Sequence, residues 1–248
     1  MHRRARVSLR LVAAAVLVVG GFVGVIASTA SATTTSGYVL AASDGGVFAF
    51  GRPFAGSLAG HHLNAPIKGV AATPNGKGYW LAAADGGVFA FGDARFFGSL
   101  SGADLLGPVI AITSTGTGKG YWLLTTEGEA FSFGDATAPG GPPAIQLSGE
   151  HFDFVGLTQV AGTARAFEAV TASGQLFTTA APSGTFGCGS QPALPTQAPI
   201  VGVAGAVGTC QSGWLAASDG GVFALSRPFL GSMGATPLNA PVVGIAGN

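Results

Sequence analysis

The sequence predicts an all-β protein: a five-bladed β-propeller of repeats about 42–46 residues long, closed by its C-terminal strand, after an N-terminal signal helix. Three observations predict it. One stretch recurs. Gly78 to Leu100, GYWLAAADGGVFAFGDARFFGSL, has near-copies at Gly37 to Leu58 and Gly213 to Met233, with two divergent copies between. Aligned on Val39, Trp80, Trp122, Glu168 and Trp214, the copies are spaced by 41, 42, 46 and 46 residues. The clear copies also set Asp-Gly between apolar runs, as in Tyr79-Trp80-Leu81 and Val88-Phe89-Ala90-Phe91 around Asp85-Gly86-Gly87. That is a hairpin signal, expected here as a type I′ turn, and it speaks against helical pairs, which would show a 3.6-residue period. Finally, the ends are out of phase, since the repeats begin at a B strand and stop after an A strand. A ring in which Val242 to Ala246 pairs into the first unit uses both ends and leaves no open edge.

Each unit is expected to hold four strands. The hairpin supplies strands B and C. Before B runs a small apolar strand A: Ile67 to Ala71, Val109 to Ile112, Phe154 to Leu157, Ile200 to Val203 and Val242 to Ile245. Its Gly and Ala residues suit the crowded axis of a ring. After C comes a short D segment, at Phe54 to Ser57, Phe96 to Ser99, Thr185 to Cys188 and Phe229 to Ser232. In the third unit it degrades to Pro139-Gly140-Gly141-Pro142-Pro143. The fourth unit has diverged most, with Ser173-Gly174-Gln175 in place of Asp-Gly-Gly.

Residues 1–32 read as a secretory signal peptide: His2, Arg3, Arg4, Arg6 and Arg10 form a basic start, Leu11 to Ala27 an apolar run, and Ala30-Ser31-Ala32 a cleavage site. A retained anchor is the alternative, although the run is short of the roughly 20 residues of a span. A polar lead-in follows over 33–36, and residues 37–248 form one domain. Removing Arg3, Arg4, Arg6 and Arg10 leaves seven of 11 basic residues against 11 acidic ones. That balance speaks against a nucleic-acid partner. Export places Cys188 and Cys210 in an oxidising compartment, where such a pair is expected as a disulfide.

The GYW–LAASDGGVFAFGDA–FFGS pattern has linkers such as Leu63-Asn64-Ala65-Pro66-Ile67 and Thr73-Pro74-Asn75-Gly76-Lys77-Gly78. It resembles a repeat of secreted actinobacterial proteins, in which the repeats accompany cell-wall or hydrolase domains. The resemblance covers nearly all of Gly37 to Asn248. It implies an exported, cell-envelope setting and no activity of its own. By blade count and period alone the architecture is also similar to five-bladed sugar-binding lectins, which implies a glycan-binding alternative.

The sequence contains no GxSxG elbow, HExxH motif or phosphate-binding loop. His61-His62 reads as a solvated loop pair rather than a metal site, and Glu150-His151-Phe152-Asp153 as a loop. No cofactor and no metal are expected. Paired carboxylates for glycoside hydrolysis are not singled out, which leaves an envelope hydrolase as the third reading. Tyr79, Trp80, Tyr121, Trp122 and Trp214 read as packing between blades, with sugar stacking as the alternative.

In an up-and-down meander successive turns alternate between two ends. One end is expected to collect acids: Asp44, Asp85, Glu127, Glu129 and Asp219 from B–C turns, and Asp104, Glu150 and Asp153 from D–A loops, beside His61, His62 and His151. The other collects Lys77, Lys119 and Arg165 from A–B turns and Arg52, Arg95 and Arg227 from C–D turns, against Asp93 and Asp135. Turn chemistry accounts for the Asp residues. The functional reading is a non-catalytic binding or scaffolding module with two candidate binding ends. Lys77, Lys119, Arg95, Arg52 and Arg227 would meet anionic wall polymer, a glycan or an envelope protein. Asp44, Asp85, Asp219, His61 and His62 would meet cations or a partner. The membrane enters only through the N-terminal segment.

Overall fold

The computed structural model describes residues 37–127, 130–136, 154–159, 167–172, 176–178, 198–205 and 212–247. Its strands are β1 (Tyr38–Ala42), β2 (Val47–Phe50), β3 (Ile67–Ala72), β4 (Gly78–Ala83), β5 (Val88–Gly92), β6 (Val109–Ser114), β7 (Gly120–Thr125), β8 (Ala130–Gly134), β9 (Phe154–Gln159), β10 (Phe167–Thr171), β11 (Leu176–Thr178), β12 (Ile200–Ala204), β13 (Gly213–Ala217), β14 (Val222–Leu225) and β15 (Val242–Gly247). They pair into three-stranded antiparallel sheets ordered β3-β4-β5, β6-β7-β8, β9-β10-β11, β12-β13-β14 and β15-β1-β2. Each sheet is strands A, B and C of one repeat. The first repeat takes its A strand from the C-terminus, with Val39 opposite Ala246 and Leu40 opposite Ile245.

The B strands β1, β4 and β13 are buried at every residue. A strand flanked on both edges and covered on both faces has no solvent side, so its sequence is a continuous apolar run rather than an alternation. The A strands pack on one another in the order β15, β3, β6, β9, β12 and back to β15. They approach backbone to backbone: a Cβ at Gly69 would lie 3.0 Å from Ile112 N, and one at Gly202 would lie 3.0 Å from Ile245 N. The ladder of each A strand shifts register around its second residue, between Ile67 and Gly69, Val109 and Ala111, and Ile200 and Gly202. The bulged residues Lys68, Ile110 and Val201 line a central cavity of ≈ 20 Å³. That is room for about one water.

Two expectations are corrected. The B–C hairpin is not type I′. Gly45, Gly86 and Gly220 have φ of 82°, 81° and 86°, and among the described non-glycine residues only Ser226 has a positive φ. Gly45 N donates to Ala42 O at 2.9 Å and Ala42 N to Gly46 O at 2.8 Å. This is a type I turn followed by a left-handed glycine, the three-residue hairpin with a bulge. The Asp therefore sits at a negative φ. Its carboxylate accepts from the second glycine's N–H, at 2.9 Å in Asp44–Gly46 and 2.8 Å in Asp219–Gly221.

The fourth strand is also corrected. The segments at Phe54, Phe96 and Phe229 lie outside every ladder. Gly56, Gly98 and Gly231 stand at φ 132°, 134° and 137°, which breaks an extended run. Each segment instead lies against the next repeat: a Cβ at Gly56 would meet the Phe91 ring, one at Gly98 the Phe133 ring, and one at Gly231 the Phe50 ring. A tyrosine hydroxyl from that repeat takes the place of ladder partners. Tyr121 Oη accepts from Phe97 N at 3.1 Å and donates to Gly98 O at 2.6 Å. Tyr38 Oη does the same with Leu230 N (3.3 Å) and Gly231 O (2.5 Å), joining the last repeat to the first. Tyr79 Oη accepts from Ala55 N at 3.2 Å and donates to Gly56 O. The outer segments 139–143 and 185–188 lie outside the described residues.

Candidate functional site

The meander puts the turns of each sheet at two ends, and hydrogen bonds tie neighbouring sheets together there. At the B–C end, Leu58 N donates to Gly45 O and Leu100 N to Gly86 O, so the turn meets its own D–A loop. Ile67 N reaches Ser43 O and Val109 N reaches Ala84 O, so each turn also meets the next repeat's A strand. Asp44, Asp85, Asp104, Glu127 and Asp219 are at this end, with His61 and His62 in the exposed D–A loop of the first repeat. Asp44, Asp85 and Asp219 spend one carboxylate oxygen on their own turns. An open groove of ≈ 350 Å³ here is lined by Asp219, Thr236, Asn239 and Pro241 among others. Glu129, Glu150, His151 and Asp153 lie outside the described residues.

At the opposite end the A–B loop meets the C–D turn. The Thr73 hydroxyl accepts from Gly78 N at 2.9 Å and lies 3.2 Å from Asp93 Oδ1, while Asn75 Nδ2 donates to Asp93 Oδ2 at 2.5 Å. The third repeat repeats the corner with Thr115 and Thr117 donating to Asp135 at 2.9 and 2.5 Å. Lys77, Arg95 and Lys119 stand exposed around these corners. The two aspartates are exposed as well; each accepts from two uncharged donors of the facing A–B loop and keeps its charge, so the three exposed cations outnumber the acids by one.

Arg52 and Arg227 do not join those cations as solvated groups. Arg227 is half-buried. It donates to Ser212 Oγ at 3.1 Å and Gly205 O at 3.0 Å, and its guanidinium lies 5.2 Å from the Trp214 ring centre. Arg52 is half-buried beside Tyr79. Burial lowers its pKa, and the electrostatic influence of Tyr79 acts the other way. Sequence spacing alone does not distinguish a corner strut such as Arg227 from a surface cation. Arg165, Cys188 and Cys210 lie outside the described residues.

The repeated aromatics are interior. Tyr79 is 1 % exposed, Trp80, Tyr121 and Trp214 0 %, and Trp122 7 %, so none offers a ring face to a sugar. Trp80 meets Tyr121 of the next repeat with ring centres 5.5 Å apart, and Trp214 meets Tyr38 at 5.2 Å. Burial raises the pKa of Tyr38, Tyr79 and Tyr121, partly offset by the backbone N–H each accepts.

Two features at these ends escape the sequence reading. Lys68 is exposed at the bulge on the inner strand, beside Ile110, Val155, Val201 and Val243 at the mouth of the central cavity. Phe54, Phe96 and Phe229 are each 59 % exposed. The signal for the second was present in the pairs Phe54-Ala55, Phe96-Phe97 and Phe229-Leu230. In an extended segment one residue of each pair faces the sheets and the other faces away.

No family model and no curated protein matches the chain. Among solved structures it is similar to the β-propeller domain of Myceliophteria thermophila Cps50 (Swd1), at 14% identity and a TM-score of 0.41, over 73% of this chain and 59% of that one. It is similar to U3-55K at 12% identity and a TM-score of 0.40, over 69% and 52%. It is also similar to the WD40 repeats of RRP9 at 13% identity and a TM-score of 0.36, over 69% and 51%. The chain thus spans between half and three fifths of these structures. At such identities and scores the likeness assigns neither partner nor activity.

Proposed function

We propose that the chain is an exported, envelope-associated, non-catalytic binding scaffold, built as a five-bladed propeller closed by its C-terminal strand. Support for the closed ring is the pairing of β15 with β1, the cyclic packing of the inner strands, and the Tyr38 clasp from the first repeat onto the last. Support for export is the basic, apolar and small-residue pattern of residues 1–32. In that compartment Cys188 and Cys210 form a disulfide. Intact mass after alkylation without reduction then shows no labelled thiol, and two labelled thiols in fresh protein overturn the bond.

The observation that carries the binding reading is the separation of charge. Among the described residues, Lys77, Arg95 and Lys119 are exposed at one end and outnumber its acids, Asp93 and Asp135, while the other end carries Asp44, Asp85, Asp104, Glu127 and Asp219. Such an end attracts an anionic envelope component, with wall polymer as the first probe. Binding weakens as salt rises. The triple change Lys77→Gln, Arg95→Gln and Lys119→Gln abolishes it while the melting temperature stays put, because these side chains are solvated. Binding that ignores both salt and the triple change refutes the reading.

A further inference from the structure

The exposed phenylalanines are held in place with more care than solvent-facing rings require. Trp80 Nε1 donates to Arg95 O at 2.7 Å, the carbonyl before Phe96, while Tyr121 Oη accepts from Phe97 N, the amide after it. In the fifth repeat Trp214 Nε1 donates to Pro228 O at 2.9 Å and Tyr38 Oη accepts from Leu230 N, bracketing Phe229 in the same way. In the first repeat Val39 replaces the tryptophan, and Phe54 keeps one foot of the arch, Ala55 N on Tyr79 Oη. The feet are buried aromatic side chains of two different sheets. Fixed backbone on both sides of a ring removes much of the ordering cost of burying that ring in a partner.

We infer that Phe54, Phe96 and Phe229 are anchors that enter the surface of an anionic lipid bilayer. This rests on the proposed basic, envelope-facing end and names its partner. Two features favour a bilayer. The rings are pure hydrocarbon, while this chain places its tryptophans and tyrosines inside. Phenylalanine is among the residues that enter the acyl boundary from a surface whose cationic neighbours meet the headgroups. The rings lie just beyond the C–D turns, at the end that carries Lys77, Arg95 and Lys119, and a bilayer pairs anionic headgroups with an apolar layer beneath. A bilayer is fluid, so the three anchors need not match a fixed ligand spacing.

The test uses the exported protein, secreted and freed of residues 1–32, with single replacements Phe54→Trp, Phe96→Trp and Phe229→Trp, and phosphatidylglycerol vesicles whose acyl chains carry bromine. The native tryptophans are buried and give a constant background. Each new indole is expected to shift to the blue and to be quenched by the brominated chains. Salt and the triple Lys77/Arg95/Lys119→Gln change suppress the effect, and phosphatidylcholine vesicles give little of it. Replacing all three phenylalanines by Ser lowers vesicle affinity by at least about tenfold and leaves wall-polymer binding unchanged. Vesicle-bound protein whose new indoles remain unquenched overturns the inference. So does salt-sensitive polymer binding without vesicle binding, and in that case the basic-end reading stands. Binding to neither overturns both.

Discussion

The corner where an A–B loop meets a C–D turn is built in two ways, with opposite charges. In the second and third repeats a carboxylate, Asp93 or Asp135, gathers hydroxyl and amide donors from the loop. In the fifth repeat a guanidinium, Arg227, reaches back to a loop carbonyl and hydroxyl and covers Trp214. The backbone differs too. Gly92 and Gly134 turn the carboxylate corners at φ 67° and 68°, where Ser226 turns the guanidinium corner at φ 48°. The fold fixes the bend, and either a donor or an acceptor can hold it. A charged residue at this position is therefore weak evidence for a ligand, and the better candidates are charges such as Lys77 that no corner uses.

The largest effect expected from breaking this comparison comes at the glycine. A Cβ at Gly134 would lie 2.1 Å from Lys119 O, a backbone atom with no freedom to retreat. Gly134→Ala destabilises by more than about 2 kcal/mol, counting the left-handed penalty and the clash. Denaturant melts read this directly, and a loss below about 1 kcal/mol would contradict the tight corner.

The tyrosine clasp serves both kinds of repeat. Tyr121→Phe leaves Phe97 N and Gly98 O without their partner and costs about 1–3 kcal/mol. It also reports on pH. Burial raises the Tyr121 pKa, so the folded protein holds that proton more tightly than the unfolded chain. This stability is intact below pH of about 10 and drains away as pH climbs toward the raised folded value. The Phe variant should show a shallower alkaline decline than the wild type, and parallel declines would mean that Tyr121 does not contribute.

Removing the charge sharpens the contrast. Asp135→Ala removes the carboxylate that accepts from Thr115 and Thr117, leaves the Thr115 hydroxyl with Thr117 Oγ1 and Gly120 O, and costs about 1 kcal/mol. Arg227→Met keeps an apolar stem on Trp214 and costs about 1 kcal/mol. Equal and negligible losses in thermal melts would show that the corners stand on backbone alone. The smallest effect is a gain: Ser226→Gly relieves a non-glycine left-handed residue and stabilises by up to about 1 kcal/mol. A loss on that change would mean the Ser226 side chain is itself needed.

Much of the fold is legible in the residues because it is periodic. Tyr79-Trp80-Leu81, Asp85-Gly86 and Val88-Phe89 recur with strand, turn and strand chemistry, and the strand expected at Val242 to Ala246 pairs with the first B strand. The alternation of turns between two ends follows from antiparallel pairing. The hairpin type was not legible, since Asp-Gly serves a two-residue turn and a bulged three-residue turn equally well.

The sequence by itself determined the repeat, three of the four strands expected in it and, among the described residues, the end at which each turn lies, because hydrophobic pattern and turn residues act locally. Only the tertiary structure decided where the fourth segment goes, since that depends on a tyrosine hydroxyl and a phenylalanine ring supplied by the next repeat, about 24 residues downstream in the case of Phe97 and Tyr121. It likewise decided that Arg227 is a strut and that Phe54, Phe96 and Phe229 face outward. Local chemistry carries no information on which neighbour fills the space beside a side chain, and that space alone separates a buried partner from an exposed anchor.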